Sequence, residues 1–314
     1  MTAPAGPTAA ESAELFAVQR AALADVVAIP VTPFDAEDRL DQDTYRALVR
    51  RLLDAGVRTL TPNGNTSEFY SLTPEERRLE VELTIAEAGR EARIIVGVGQ
   101  EVPTAVAAAV HAREAGARMV MVHQPVHPYV SRDGWVDYHR HIARAVPELG
   151  VVPYIRNPLI SGAAIARLGE ECPNVIGVKY AVPDPVRFAA VARDAGLERF
   201  VWVAGLAELS APAYFACGAT GFTSGLVNVV PEVSIEMLHA LRAGDYPAAM
   251  KVWELIRPFE ELRAERQSAN NVTVVKEALA ALGLCRRDIR PPSAPLPEAE
   301  RDAVAAIVEG WDAR

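Results

Sequence analysis

From Asp25 onward, short runs of Val, Ile and Leu alternate with longer segments in which apolar residues recur every three or four positions. This alternation of period-2 and period-3.6 patterns is the mark of repeated strand-helix units. The apolar runs predict eight strands, at Val26 to Val31, Arg58 to Pro62, Arg93 to Val98, Arg118 to Val122, Val151 to Ile155, Val175 to Lys179, Phe200 to Ala204 and Thr220 to Ser224. Helices are expected between and after them, over Asp43 to Ala55, Pro74 to Gly89, Thr104 to Ala115, Gly134 to Val146, Ala163 to Glu171, Pro185 to Ala195, Glu208 to Cys217 and Pro231 to Ala243. Thr73, Pro74 and Glu76 together form a capping box with proline in the first turn, and Gly56, Gly116 and Gly244 fall where helices should stop.

Eight such repeats in about 220 residues suggest a (β/α)8 TIM barrel, a fold that needs roughly 250 residues. The barrel is expected over residues 23–244, preceded by a frayed N-terminal extension, 1–22, and followed by a C-terminal helical extension, 245–314. Three more helices are expected there, over Tyr246 to Arg266, Val272 to Leu282 and Pro297 to Trp311, with a stiff Arg290 Pro291 Pro292 turn before the last. The rival is an open doubly wound sheet. Gly97 Val98 Gly99 is the nearest approach to its dinucleotide fingerprint, and the third glycine is missing.

Composition narrows the functional classes. A formal net charge of -9 without any Lys/Arg run argues against nucleic acid as a partner. The three cysteines, Cys172, Cys217 and Cys285, are too scattered for a disulfide framework or a metal knuckle, which fits a cytoplasmic protein. No apolar stretch reaches the roughly 18 residues that a membrane span requires, and no signal peptide is evident.

Lysine usage then picks out one residue. Only Lys179, Lys251 and Lys276 occur, against 29 arginines, and Lys179 ends the apolar run Val175 Ile176 Gly177 Val178. Arginine cannot supply a neutral amine, whereas a desolvated lysine can attack a carbonyl to form an imine. Tyr154 closes the preceding strand and should reach the same mouth as a proton carrier. The loop after the second strand, Pro62 Asn63 Gly64 Asn65 Thr66 Ser67 Glu68 Phe69, offers amides and hydroxyls suited to a carboxylate.

These residues resemble the Schiff-base aldolase family of dihydrodipicolinate synthase and N-acetylneuraminate lyase. The likeness runs through nearly the whole chain, from Pro30 Val31 Thr32 Pro33 Phe34, through Gly64 Asn65 Thr66 Ser67 Glu68, Tyr154 and Val178 Lys179, to Gly221 Phe222 Thr223 Ser224, Asn228 and Arg290 Pro291 Pro292. It implies a cofactor-free, metal-free lyase acting on a 2-oxo acid such as pyruvate, assembled as a dimer or tetramer. Lys179 would form the imine and Tyr154 would shuttle protons. Asn65, Thr66, Gly205 and Ser224 would line the substrate site, with His127 and Tyr129 where family members present a tyrosine to a neighbouring subunit.

Asn65 and Ser67 stand where the family loop carries its first threonine and second glycine, and Leu159 stands where dihydrodipicolinate synthases carry an arginine. Arg156, two residues beyond Tyr154 and on its strand face, is the expected substitute for that carboxylate contact. Tyr154 with Arg156 and Asn157, and Glu68 Phe69 Tyr70 Ser71 Leu72, look closer to the 5-dehydro-4-deoxyglucarate dehydratase branch. Two other readings are a metal-dependent barrel aldolase built on His123 and His127 and a non-catalytic barrel that binds a 2-oxo acid.

Overall fold

The computed structural model describes residue 14 and residues 16–312, and the N-terminal stretch assigned above to a frayed extension lies mostly outside them. Helix α1 (Ala17–Leu23) leads into β1 (Val26–Ala28), α2 (Gln42–Asp54), β2 (Thr59–Leu60), α3 (Pro74–Ala88), β3 (Arg93–Val98) and α4 (Val102–Ala115). The second half continues with β4 (Met119–Val122), α5 (Arg132–Ala145), β5 (Gly150–Ile155), α6 (Gly162–Glu171), β6 (Gly177–Tyr180), α7 (Pro185–Ala195), β7 (Val201–Ala204), α8 (Ala207–Ala216), β8 (Gly221–Ser224) and α9 (Pro231–Arg242). Helices α10 (Tyr246–Ser268), α11 (Asn271–Ala281) and α12 (Glu298–Asp312) complete the chain.

The eight strands form a closed parallel barrel, because β1 pairs with both β2 and β8. Closure disposes of the open doubly wound alternative. Gly97 has a packing role instead: a Cβ there would stand 2.0 Å from the Asn63 carbonyl oxygen and 2.9 Å from His123 Nε2. Local signals set the helix ends as expected at α3, where Thr73 and Glu76 form both halves of the capping box.

Alternation along each strand sorts side chains into two cores. Val27, Ile95, Met119, Met121, Val152, Tyr154 and Val203 point into the barrel, while Val26, Val96, Val120, Val151, Val178, Trp202 and Phe222 pack outward against the helices. The base of the barrel is plugged by α1. Phe16 and Leu23 are fully buried among the inward residues, so the chain from residue 16 is an integral part of the barrel rather than an extension. Among the described residues no helix is long and apolar enough to cross a membrane.

The C-terminal helices are anchored to the barrel by buried charge. Lys276 of α11 reaches Glu68, in the loop after β2, and its Nζ also donates to the Asp288 carbonyl at 2.9 Å. Glu68 Oε2 accepts from Arg290 N at 3.0 Å, and both Lys276 and Arg290 lie over the Phe34 ring.

Candidate active site

A cavity of about 640 Å³ opens at the C-terminal end of the strands, and Lys179 and Tyr154 both line it. Their meeting follows from register: Tyr154 of β5 pairs directly with Lys179 of β6, and both occupy inward positions. Lys179 Nζ stands 4.6 Å from the centroid of the Tyr154 ring and hydrogen-bonds no described residue. Burial pushes the amine down to about 7 from its ordinary 10.5, and the Arg156 guanidinium adds to the fall. Tyr154 is shifted up, first by burial, so it rests as a neutral phenol.

The loop after β2 brings Asn65 and Thr66 to the same cavity. Asn65 Nδ2 donates to Tyr154 Oη at 3.3 Å, which leaves the phenolic proton free to point into the cavity. The loop is held from behind by Glu80, a fully buried carboxyl that accepts from Asn63 N at 3.2 Å, from Tyr45 Oη at 3.2 Å and from Thr32 Oγ1 at 3.2 Å. Burial raises Glu80 to about 7.

Gly205 also lines the cavity, at the end of β7, and a Cβ there would stand 3.0 Å from Lys179 Cγ and 2.9 Å from the Tyr180 carbonyl. Only a residue without a side chain lets the lysine stem pass. Arg156 is exposed at the mouth, its backbone N donates to Gln124 Oε1 at 3.0 Å, and its guanidinium forms no ion pair with a described residue.

One sequence expectation is corrected. Ser224 does not reach the cavity: it is an outward residue of β8, and its Oγ donates to Glu208 behind the strand. Thr223, one position earlier and inward, takes its place. His127 and Tyr129, expected to face a neighbouring subunit, lie on an exposed loop outside this chain's own cavity, where the His127 ring bonds the Tyr129 backbone and Tyr129 is 85% exposed.

The histidine pair suggested for a metal also separates. His123 is buried, stacked on Phe69 at 4.1 Å and bonded to the Asn63 carbonyl at 2.8 Å, and burial pushes it down to about 4, so it is a neutral packing group. Among the described residues no three His, Cys, Asp or Glu side chains are grouped to hold a metal ion.

The far wall was invisible from motif spacing. It comes from α8 and the C-terminal helices, through Ser210, Glu260, Arg263, Gln267, Ser268 and Asn271. Arg263 is fully committed, to Glu260, to the Asn271 carbonyl at 3.2 Å and to Asn271 Oδ1 at 2.8 Å, so Arg156 is the lining guanidinium without an ion pair to a described residue. Near its end α10 breaks, and Arg266, Gln267 and Ser268 have φ of 53°, 59° and 67°. Left-handed backbone costs about 1–2 kcal/mol per non-glycine residue, so this segment is strained.

A closed barrel with a desolvated amine beside a neutral phenol at its C-terminal mouth defines an imine-forming lyase. The dihydrodipicolinate synthetase family profile matches residues 22–310, and the chain belongs to that family. Its relatives divide between two activities by name. A probable 5-dehydro-4-deoxyglucarate dehydratase of Rhizobium rhizogenes is 32% identical over 296 residues, covering 93% of this chain and 97% of the relative. Among solved structures, dihydrodipicolinate synthase of Bacillus clausii superposes with a TM-score of 0.90 at 38% identity, covering 94% of this chain and 99% of the other. The enzyme of that name from Oceanobacillus iheyensis gives 0.90 at 34%, covering 95% and 100%. The chain is thus a Schiff-base-forming lyase acting on a 2-oxo acid.

Proposed function

We propose that the enzyme dehydrates an extended, hydroxylated 2-oxo acid through an imine on Lys179. The carrying observation is the uncommitted, desolvated amine 4.6 Å from the Tyr154 ring at the floor of a cavity of about 640 Å³, far more space than pyruvate fills. The neutral Nζ attacks the C2 carbonyl while Tyr154 passes its proton to the developing alkoxide. The carbinolamine loses water to give the iminium, which acidifies C3. Loss of a C3 proton yields an enamine, whose electrons expel the C4 hydroxyl as it is protonated to water. Hydrolysis of the resulting unsaturated imine frees the product and Lys179.

Asn65 alters the proton path within this scheme. Its amide donates to Tyr154 Oη but has no hydroxyl to pass a proton onward, so transfer runs between Tyr154 and the substrate's own oxygens. Thr66 and the neighbouring loop amides are assigned to the carboxylate beside the ketone, and Arg156 to a second anionic group. The dehydratase names among the relatives favour this chemistry over aldol condensation, and they make 5-dehydro-4-deoxyglucarate, a hydroxylated six-carbon diacid, the first substrate to try.

Incubation with that diacid, or with pyruvate, followed by borohydride should leave one covalent adduct on the peptide bearing Lys179, read by mass spectrometry. An unmodified Lys179 with both acids would end the assignment. The loop carrying Val126, His127 and Tyr129 is proposed to meet another copy of the chain, since Val126 is 55% and Tyr129 85% exposed.

A further inference from the structure

Strain in a folded chain persists only where the surroundings over-determine it, and such segments gather at functional sites. The break in α10 places three successive non-glycine residues at positive φ, Arg266, Gln267 and Ser268, and the last two line the active-site cavity. The turn is clamped from outside. Arg266 pairs with Glu300 of α12 and its guanidinium also reaches Asn270 Oδ1 at 3.4 Å. With Arg266 held on that side, Gln267 and Ser268 are left at the cavity wall.

Their chemistry is uncommitted. The side chains of Gln267, Ser268 and Ser210, the last from α8, all line the cavity and hydrogen-bond no described residue. The charged groups beside them, Glu260 and Arg263, are by contrast consumed by each other and by Asn271. A wall of neutral donors and acceptors with no internal partners suits ligand hydroxyl groups, and it has nothing to offer a small acid lacking them.

We infer that the left-handed turn at 266–268 is a specificity-determining element, which holds Gln267 and Ser268, together with Ser210, as the polar subsite for the hydroxyl groups of an extended 2-oxo acid. This rests on the imine-forming role of Lys179 proposed above. A site whose polar groups await a substrate hydroxyl rejects the analogue without one, because those groups are then left unpaired. Discrimination against pyruvate therefore comes from the C-terminal extension together with Ser210 of α8, and the imine chemistry from the barrel strands.

The test compares Gln267→Gly, Gln267→Asn and Ser210→Ala with the native enzyme, reading the half-saturating concentration for borohydride trapping by 5-dehydro-4-deoxyglucarate and by pyruvate. Glycine adopts positive φ freely, so Gln267→Gly keeps the turn, and its melting temperature should equal or exceed the native value. Loss of one hydrogen bond to the ligand should raise the diacid's half-saturation about tenfold and that of pyruvate by less than about twofold. Asparagine, which tolerates left-handed backbone and keeps an amide, should recover part of the loss. Equal effects on the two acids, no effect on the diacid, a native enzyme that does not favour the diacid, or a lowered melting temperature in Gln267→Gly would each overturn the inference while leaving the imine intact. Failure of the native enzyme to trap either acid on Lys179 would instead defeat the reading beneath it, and the inference with it.

Discussion

Lys179 and Lys276 are both withdrawn from water, at 3% and 0% exposure, yet they meet opposite surroundings. Lys276 is held by Glu68 and a backbone carbonyl, whereas Lys179 has an aromatic face and open cavity. Lysine scarcity therefore could not tell the cavity-lining amine from the ion-paired one, since it marked both buried lysines equally. The apolar strand ending at Lys179 was the signal that placed it at the cavity. The two should respond oppositely to replacement by methionine. Lys276→Met strands the Glu68 charge in the interior and should cost about 3–5 kcal/mol in urea unfolding. Lys179→Met removes an amine that burial penalises, so it should abolish the borohydride adduct and raise the melting temperature at pH 7. A stable Lys276→Met protein, or a less stable Lys179→Met one, would contradict this division. Ser224 shows the limit of reading single residues: the motif at the eighth strand was visible, but strand parity chose Thr223 instead.

At the level of elements, all eight strands and the helices between them were legible, because apolar periodicity is a local property. What locality conceals is which neighbours meet. The pairing of Tyr154 with Lys179 needed only adjacent strands, but the arrival of Arg263 and Gln267 from α10 depended on how the last three helices fold back. The end of the helix at Arg266 was legible, but the left-handed turn there was not, for nothing in Glu265 Arg266 Gln267 Ser268 contains the glycine that announces positive φ. Just after β7, Gly205 lies tight against the end of β6. Gly205→Ala should push the strand end off the Lys179 stem, slowing trapping by pyruvate and destabilising the fold by about 1–3 kcal/mol. An alanine variant with native trapping kinetics would show that the stem has room to spare.

For the molecule as a whole, the buried ionisable groups set how stability depends on pH. Burial raises Glu80 to about 7, and it raises Glu208 as well, with Glu260 adding to the effect. A carboxyl with a raised folded pKa keeps its proton where the unfolded chain has released it. Its contribution is complete below the ordinary value of 4.5 and is lost as pH climbs through about 7. Lys179 acts in the opposite sense, since the folded chain is neutral between about 7 and 10.5 where the unfolded chain still binds a proton, so stability recovers across that window. The urea midpoint should therefore fall from pH 5 to 7, and Glu80→Gln should flatten that limb. A native midpoint that stays level there, or a variant with an unchanged slope, would rule this out.

Among the described residues, the seal that Phe16 and Leu23 place across the base of the barrel leaves the C-terminal mouth as the way to Lys179. On the proposed dehydration, substrate, water and product would all pass the same threshold, with no exit through the sealed base.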